Sequence, residues 1–252
     1  FVELTYQGAK NKPLTALVGK GVTFDTGGLS LKASRDLSDM RMDMGGAAAV
    51  VGAVHLLAKS KAKVNVVALI PIVENILSRD SLISGDVIRY KNGITVQVGN
   101  TDAEGRLILA DALIRAGELN ADYVIDIATL TGAILRALGS KVAGVFGDEQ
   151  LTTKMKEISD ENGDFIWPMP LVDAYESYLR SHYADVKNIS SKGEAGAITA
   201  ALFLKRFVPK SSQWVHVDMA GRMDGEATGY YANGSPGFGP RLLADFTEQL
   251  SK

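Results

Sequence analysis

Apolar and polar positions follow two alternating patterns along most of the chain. Continuous apolar runs, of the kind adopted by strands covered on both faces, occur at TALVGKGVTF (15–24), VNVVALIPIV (64–73), ADYVIDIATLTG (121–132), KVAGVFGD (141–148) and QWVHVDMAG (213–221). Segments with helical spacing lie between them. GGAAAVVGAVHLLAKSK (45–61) is a small-residue helix in which Val50, Val54 and Leu57 recur every three or four positions. Residues 106–119, AILRALGS (133–140), TTKMKEISDENG (152–163), AGAITAALFLKRFV (195–208) and PRLLADFTEQL (240–250) read as further helices. GDVIRYKNGITVQVGN (85–100) reads as a hairpin turning at Asn92-Gly93. Buried strands in alternation with helices predict an α/β fold, a three-layer α/β/α arrangement around a mixed, mainly parallel central sheet. No linker, repeat or low-complexity tract interrupts the pattern, so residues 1–252 read as a single domain. Ligands in such folds gather beyond the carboxyl ends of the strands. Asp25, Asp102, Glu104, the stretch Thr129-Leu130-Thr131-Gly132 and Asp218 all follow predicted strands.

Composition narrows the class. The 252 residues are 46% hydrophobic and 22% charged, which supplies one large core or two small ones. Basic and acidic side chains nearly balance, 27 against 29, which disfavours a nucleic-acid or anionic-membrane partner. With no cysteine, disulfides, thiolate ligands and a cysteine nucleophile are excluded, and a cytoplasmic location is expected. No apolar run reaches the ~20 residues that span a bilayer, and no signal-peptide pattern opens the chain. The chain begins at Phe1 rather than Met and reads as a piece of something longer.

Three stretches carry candidate chemistry. VGNTDAEGRLILADALIRAG (98–117) places Asp102, Glu104 and Arg106 at the mouth of an apolar helix. Thr101 and Glu104 have the spacing of a capping box, and acids suit a helix N-terminus. Arg106 does not, because a cation in the first turn opposes the dipole. LVGKGVTFDTGGLSLK (17–32) sets Lys20 between glycines inside an apolar run. A buried lysine needs a carboxylate partner or must lose its proton, and a pair with Asp25 is the plain reading. DLSDMRMDMGGAAAV (36–50) offers Asp36, Asp39 and Asp43 ahead of a helix, with Asp43 an N-cap by type. Taken together, Asp25, Asp43, Asp102 and Glu104 would repel one another unless cations lay among them. Carboxylate clusters suit hard divalent ions, and two such ions can share bridging carboxylates. Other patterns fail: His55, His182 and His216 are scattered, G-x-S-x-G is absent, and neither a Walker A loop nor G-x-G-x-x-G occurs. Ser60-Lys61-Ala62-Lys63 fits S-x-x-K only incidentally, in a lysine-rich helix end.

NTDAEGRL (100–107) resembles the hallmark octapeptide of the leucyl aminopeptidase family, the cytosolic two-metal aminopeptidases. VGKGVTFDTGG (18–28), MRMDMGGAAAV (40–50), IATLTGA (127–133), WPMPL (167–171) and GFGPRLLADF (237–246) are similar to further family blocks, in the family's order. The resemblance implies two divalent ions. Lys20, Asp25, Asp43 and Glu104 would ligate one, and Asp25, Asp102 and Glu104 the other, with Asp25 and Glu104 bridging. Zinc or manganese is implied, with magnesium or cobalt accepted at the exchangeable position. A hydroxide shared by the ions would attack the carbonyl, Lys32 would polarise it and stabilise the oxyanion, and Arg106 would hold a bicarbonate general base. Met40, Thr129, Leu130 and Gly132 would line the pocket for the first side chain. The implied substrates are peptides with a free N-terminus, leucine and other apolar residues preferred, and the implied assembly is a homo-hexamer. A magnesium-dependent phosphoryl-transfer enzyme and a non-catalytic or DNA-binding relative are the alternatives. Three features depart from the family pattern. Its smaller N-terminal domain is absent, ILSRDSLISGD follows Glu74-Asn75 in place of a glycine- and proline-bearing loop, and Glu194 stands where a small residue is expected.

Overall fold

Lys20 and Pro71 each split an apolar run into two strands that join different sheets. In the computed structural model, which describes residues 1–32, 36–225 and 233–252, the chain opens with β1 (Val2–Gln7), β2 (Leu14–Gly19) and β3 (Gly21–Asp25). After α1 (Gly45–Ser60) come β4 (Asn65–Ile70) and β5 (Ile72–Asn75). Proline has no N–H to give a ladder, and the break at Pro71 matches the one at Lys20. Pro71 O accepts from Gly21 N at 3.2 Å, while Lys20 N donates to Ile127 O at 3.2 Å. Beyond these breaks β3 and β5 leave the main sheet and pair in parallel with each other.

The hairpin comprises β6 (Val87–Arg89) and β7 (Thr95–Gln97), paired antiparallel, with Gly93 N donating to Tyr90 O at the turn. Then follow α2 (Glu104–Glu118), β8 (Tyr123–Ala128), α3 (Gly132–Leu138), β9 (Ala143–Gly147), α4 (Glu149–Asn162), β10 (Ile166–Pro168), β11 (Val186–Lys187), α5 (Gly196–Lys205), β12 (Gln213–Asp218) and α6 (Pro240–Leu250). The main sheet runs β1-β4-β2-β8-β12-β9-β10. Its β4-β2-β8-β12 centre and its β9-β10 edge are parallel, while β1 against β4 and β12 against β9 are antiparallel. The sheet is therefore mixed and mainly parallel, as the apolar runs predict. A smaller sheet takes β11 beside β7, so the hairpin lies outside the main sheet.

Side-chain alternation along the central strands divides the interior in two. Leu17, Ile125, Ile127, Val215 and Val217 meet α1, α4 and α6 through Val50, Leu57, Met155, Leu243 and Phe246. Ala16, Val18, Val124 and Trp214 face the other way, toward Leu109 and Leu113 of α2, Ile134 of α3 and Phe203 of α5. Helices thus cover both faces, completing the α/β/α layers. No helix among the described residues is long and apolar enough to cross a membrane.

Candidate metal centre

The parallel strands β2, β8 and β12 end on the same side of the sheet, and the chemical residues collect there. Asp25 closes β3, Lys20 occupies the break between β2 and β3, and Asp43 sits in a 3-10 turn, Met40–Met44, that feeds α1. Another 3-10 turn, Thr101–Ala103, carries Asp102 into α2, whose first turn holds Glu104 and Arg106. Lys20, Asp25, Asp43, Glu104 and Arg106 are all buried. Their cleft has a volume of about 770 Å³, and its wall also includes Lys32, Asp102, Met40, Thr129, Leu130 and Gly132.

Charge pairing inside the cleft follows a definite pattern. Lys20 Nζ lies 2.9 Å from Asp43 Oδ1 and 3.1 Å from Glu104 Oε1, and donates to Thr129 O at 3.0 Å. Lys32 Nζ lies 2.8 Å from Asp25 Oδ2 and also bonds Asp102 Oδ1. Each ammonium therefore joins two carboxylates. Asp25, Asp102 and Glu104 each present an oxygen within 4.8 Å of the others. Asp43 stands apart from that triad, linked to Glu104 through Lys20.

Burial sets the direction of most titrations here. It pushes the Asp43 carboxyl up to about 6, with Lys20 opposing. Asp102 is also pushed up by burial, against its bond to Lys32. Burial lowers Lys20, but Glu104 and Asp43 outweigh it and hold the ammonium above its ordinary range. Burial likewise lowers Lys32, but its bonds to Asp102 and Asp25 outweigh it and hold the ammonium above its ordinary value. The Arg106 guanidinium is pulled down to about 10 by burial, with Asp218 and Glu104 opposing.

The donor set fits divalent ions. Crowded carboxylate oxygens in a buried wall suit hard cations, and ammonium groups now hold the oxygens that such ions would bind. Lys20 could ligate only as the free amine. The carboxylates that keep its proton are the groups an ion would neutralise, so metal and proton compete at Lys20.

Several helix-end readings give way to tertiary contacts. Thr101 does not form a capping box: its hydroxyl donates to Gly27 O at 2.6 Å and accepts from Ser30 N at 2.8 Å, tying the octapeptide to the Gly27–Ser30 turn. Asn100 instead accepts from Asp102 N at 2.8 Å. Asp43 does not cap α1, because its carboxylate meets Lys20 and the Thr129 hydroxyl, the latter at 2.5 Å. Lys20 does not pair with Asp25, which bonds Lys32 instead. Asp36 caps only its own turn, accepting from Ser38 N at 2.9 Å.

Three supporting residues had little or no signal in the sequence. Asn188, fully buried, accepts from Gly99 N at 2.7 Å, donates to Asn100 O at 2.7 Å, and offers its carbonyl to Arg106 Nη1 at 2.8 Å. Asp218, at the end of β12, accepts from the Thr131 hydroxyl at 2.6 Å and from Leu130 N at 3.2 Å, which holds the loop after β8. Asn75 reaches Asp25 and Glu104 from the end of β5. Only Asp218 was legible, as an acid following a strand. Glu194 lies on the cleft wall and accepts from the Tyr178 hydroxyl at 2.9 Å.

Comparison with known proteins agrees with this geometry. The sequence profile described as the cytosol aminopeptidase family, catalytic domain, matches residues 1–244. A protein of Chlorobaculum tepidum named "Probable cytosol aminopeptidase" is 47% identical over 254 residues, covering 100% of this chain and 50% of its own length. Proteins of the same name from Synechococcus sp. and Mycobacterium ulcerans are 46% and 45% identical, covering 98% and 100% of this chain and 49% and 50% of their own. The chain spans about half the length of these relatives. A cleft built of carboxylates and lysines at the strand ends, with a family match over nearly the whole chain, leads to one conclusion: the chain belongs to the cytosol aminopeptidase family, in the region of its catalytic domain.

Proposed function

We propose that this protein is a two-metal aminopeptidase that hydrolyses the first peptide bond of peptides with a free N-terminus, preferring leucine and other apolar first residues. The observation that carries this reading is the convergence of Asp25, Asp102 and Glu104 within 4.8 Å, at the wall of an open cleft. Lys20, Asp25, Asp43 and Glu104 would hold one divalent ion, and Asp25, Asp102 and Glu104 the other. Zinc or manganese is expected, with magnesium or cobalt accepted at the exchangeable position. When bound, the ions supply Lewis acidity and lower the pKa of a water, and bicarbonate supplies a general base.

The chain's own residues do the rest. With ions held by these carboxylates, a substrate's neutral α-amine could serve as a ligand, which would select a free N-terminus. Lys32 keeps its proton through its bonds to Asp25 and Asp102, and offers that charge to the oxygen that becomes negative during attack. Arg106 presents a planar fork suited to a bidentate carbonate. Its Nη1 is committed to Asn188 O, and its Nε has no hydrogen-bond partner among the described residues. Met40, Leu130 and Leu135 add apolar surface on the cleft wall, which supports an apolar first side chain, with Thr129 and Gly132 beside them. Residues 1–252 would act as one catalytic domain within a homo-hexamer in the cytoplasm. The phosphoryl-transfer alternative lacks any loop to cradle phosphate and has no support from the family match.

Leucine p-nitroanilide, assayed beside its N-acetylated copy with added manganese or zinc, tests the reading. Cleavage of the free amine alone is expected. Equal cleavage of both would remove the argument for the α-amine, and cleavage of neither would remove the proposed activity.

A further inference from the structure

Asn75, at the end of β5, donates through its side-chain nitrogen to Asp25 Oδ1 at 2.8 Å, Thr101 O at 3.1 Å and Glu104 Oε2 at 3.2 Å. All three partners are acceptors with no hydrogen to give, so the NH2 and not the carbonyl of the amide faces them. Two hydrogens serve three acceptors, and at least one is shared. The backbone fixes the position. Asn75 pairs with Asp25 across β3 and β5, and its carbonyl accepts from Thr26 N at 2.8 Å and from the Thr26 hydroxyl at 3.1 Å. Gly28 closes the other side, since a Cβ there would lie 2.9 Å from Asn75 Oδ1.

This single amide divides the oxygens of two carboxylates. Asp25 Oδ1 is held by Asn75 and by Gly27 N at 2.9 Å, leaving Oδ2 for the Lys32 ammonium at 2.8 Å. Glu104 Oε2 is held by Asn75, leaving Oε1 for Lys20 at 3.1 Å. The last torsion of a free carboxylate is broad, and a shared donor narrows it for both groups at once.

We infer that Asn75 is a positioning residue of the metal centre, a single side chain that sets which oxygen of Asp25 and which of Glu104 faces the ions. The inference rests on the metal-dependent reading proposed above. Hydrogen-bond partners of ligating groups commonly change metal affinity 10- to 100-fold, and one that orients both proposed bridging carboxylates belongs in that range.

Calorimetric titration of the metal-stripped protein with Mn²⁺, together with the visible spectrum of the Co²⁺-loaded form, tests it. Asn75→Leu keeps comparable volume without the amide, and Asn75→Ala leaves space and carries the test if the leucine variant does not fold. Thr23→Ala is the control, because its hydroxyl bonds Val73 O at 3.2 Å across the same strand pair without touching a carboxylate. With far-UV circular dichroism unchanged, the Asn75 variants should bind Mn²⁺ 10- to 100-fold more weakly and show altered Co²⁺ bands, while Thr23→Ala matches wild type. Wild-type affinity in a folded Asn75 variant would overturn the inference, as would an equal loss in Thr23→Ala. A wild-type protein that binds no Mn²⁺ would instead overturn the metal reading itself.

Discussion

Lys20 and Lys32 carry the same charge in the same cleft, yet they differ in accessibility. Lys20 is 3% exposed and enclosed by Asp43, Glu104 and Thr129, whereas Lys32 reaches in from the turn after β3. Lys32→Ala should therefore leave bound metal intact and lower kcat by about 10²- to 10³-fold, the scale of losing one oxyanion donor. Metal analysis beside leucine p-nitroanilide turnover checks this, and metal lost together with activity would make Lys32 a structural part of the centre. His216 gives a second prediction. It lies fully buried with Nδ1 2.5 Å from Asp126 Oδ1, and Trp214 Nε1 donates to Asp126 Oδ2 at 2.7 Å. Burial lowers its pKa, but Asp126 prevails and holds it above its ordinary 6.5. The folded chain thus binds this proton more tightly than the unfolded chain. The pair's stabilisation is complete below about 6.5 and is lost as pH rises through the higher native value. Urea unfolding of the metal-free protein should show this decline, and His216→Gln should abolish it. A decline of the same size in the variant would assign it to other groups.

At the level of elements, α1 shows why small residues matter. A Cβ on Gly46 would lie 2.2 Å from Ile127 O, and one on Gly19 would lie 2.7 Å from Gly46 O. The helix start is pressed against β2 and β8, and Ala47 N donates to Lys20 O at 2.8 Å. Alanine in place of glycine favours a helix by about 1 kcal/mol. Crowding against backbone that cannot rotate away costs about 1–3 kcal/mol or more, and the clash should win. Gly46→Ala should be destabilised by about 2 kcal/mol in urea unfolding and should weaken metal binding by shifting Lys20. A stabilised variant would show that helix propensity prevails. The small-residue run and its helix were legible in the sequence, but the strand breaks were not. An apolar run through Lys20 reads as one strand until Pro71 is seen beside Gly21. In β1, Val2, Leu4 and Tyr6 alternate with Glu3, Thr5 and Gln7, a strand period that the chain does carry. Its antiparallel pairing with β4 depends on partners some 60 residues away and has no local signal.

For the molecule as a whole, ions bound among the clustered carboxylates should add to the stability of the folded chain. A ligand that binds only the folded state at 100 times its dissociation constant adds about 2.7 kcal/mol of stability. For a chain of this size that corresponds to a rise in Tm of roughly 5–10 °C. Thermal unfolding with and without saturating Mn²⁺ should show the rise in the wild type and none in Asp25→Asn, and EDTA should reverse it. An unchanged wild-type Tm would mean that the cleft holds no ion under those conditions.

The sequence by itself determined the layered α/β plan, the helices, and the charged residues that could make a site. These depend on local periodicity and on the octapeptide, both contained within short windows. Tertiary structure decided the partners. Thr101 left its capping position for Gly27 and Ser30, and Asp43 turned from α1 to Lys20. Asn75 and Asn188 acquired their roles from strands and loops far along the chain. A side chain's direction depends on where its strand breaks and on what packs across from it. Packing between distant segments sets both, and no local pattern records it.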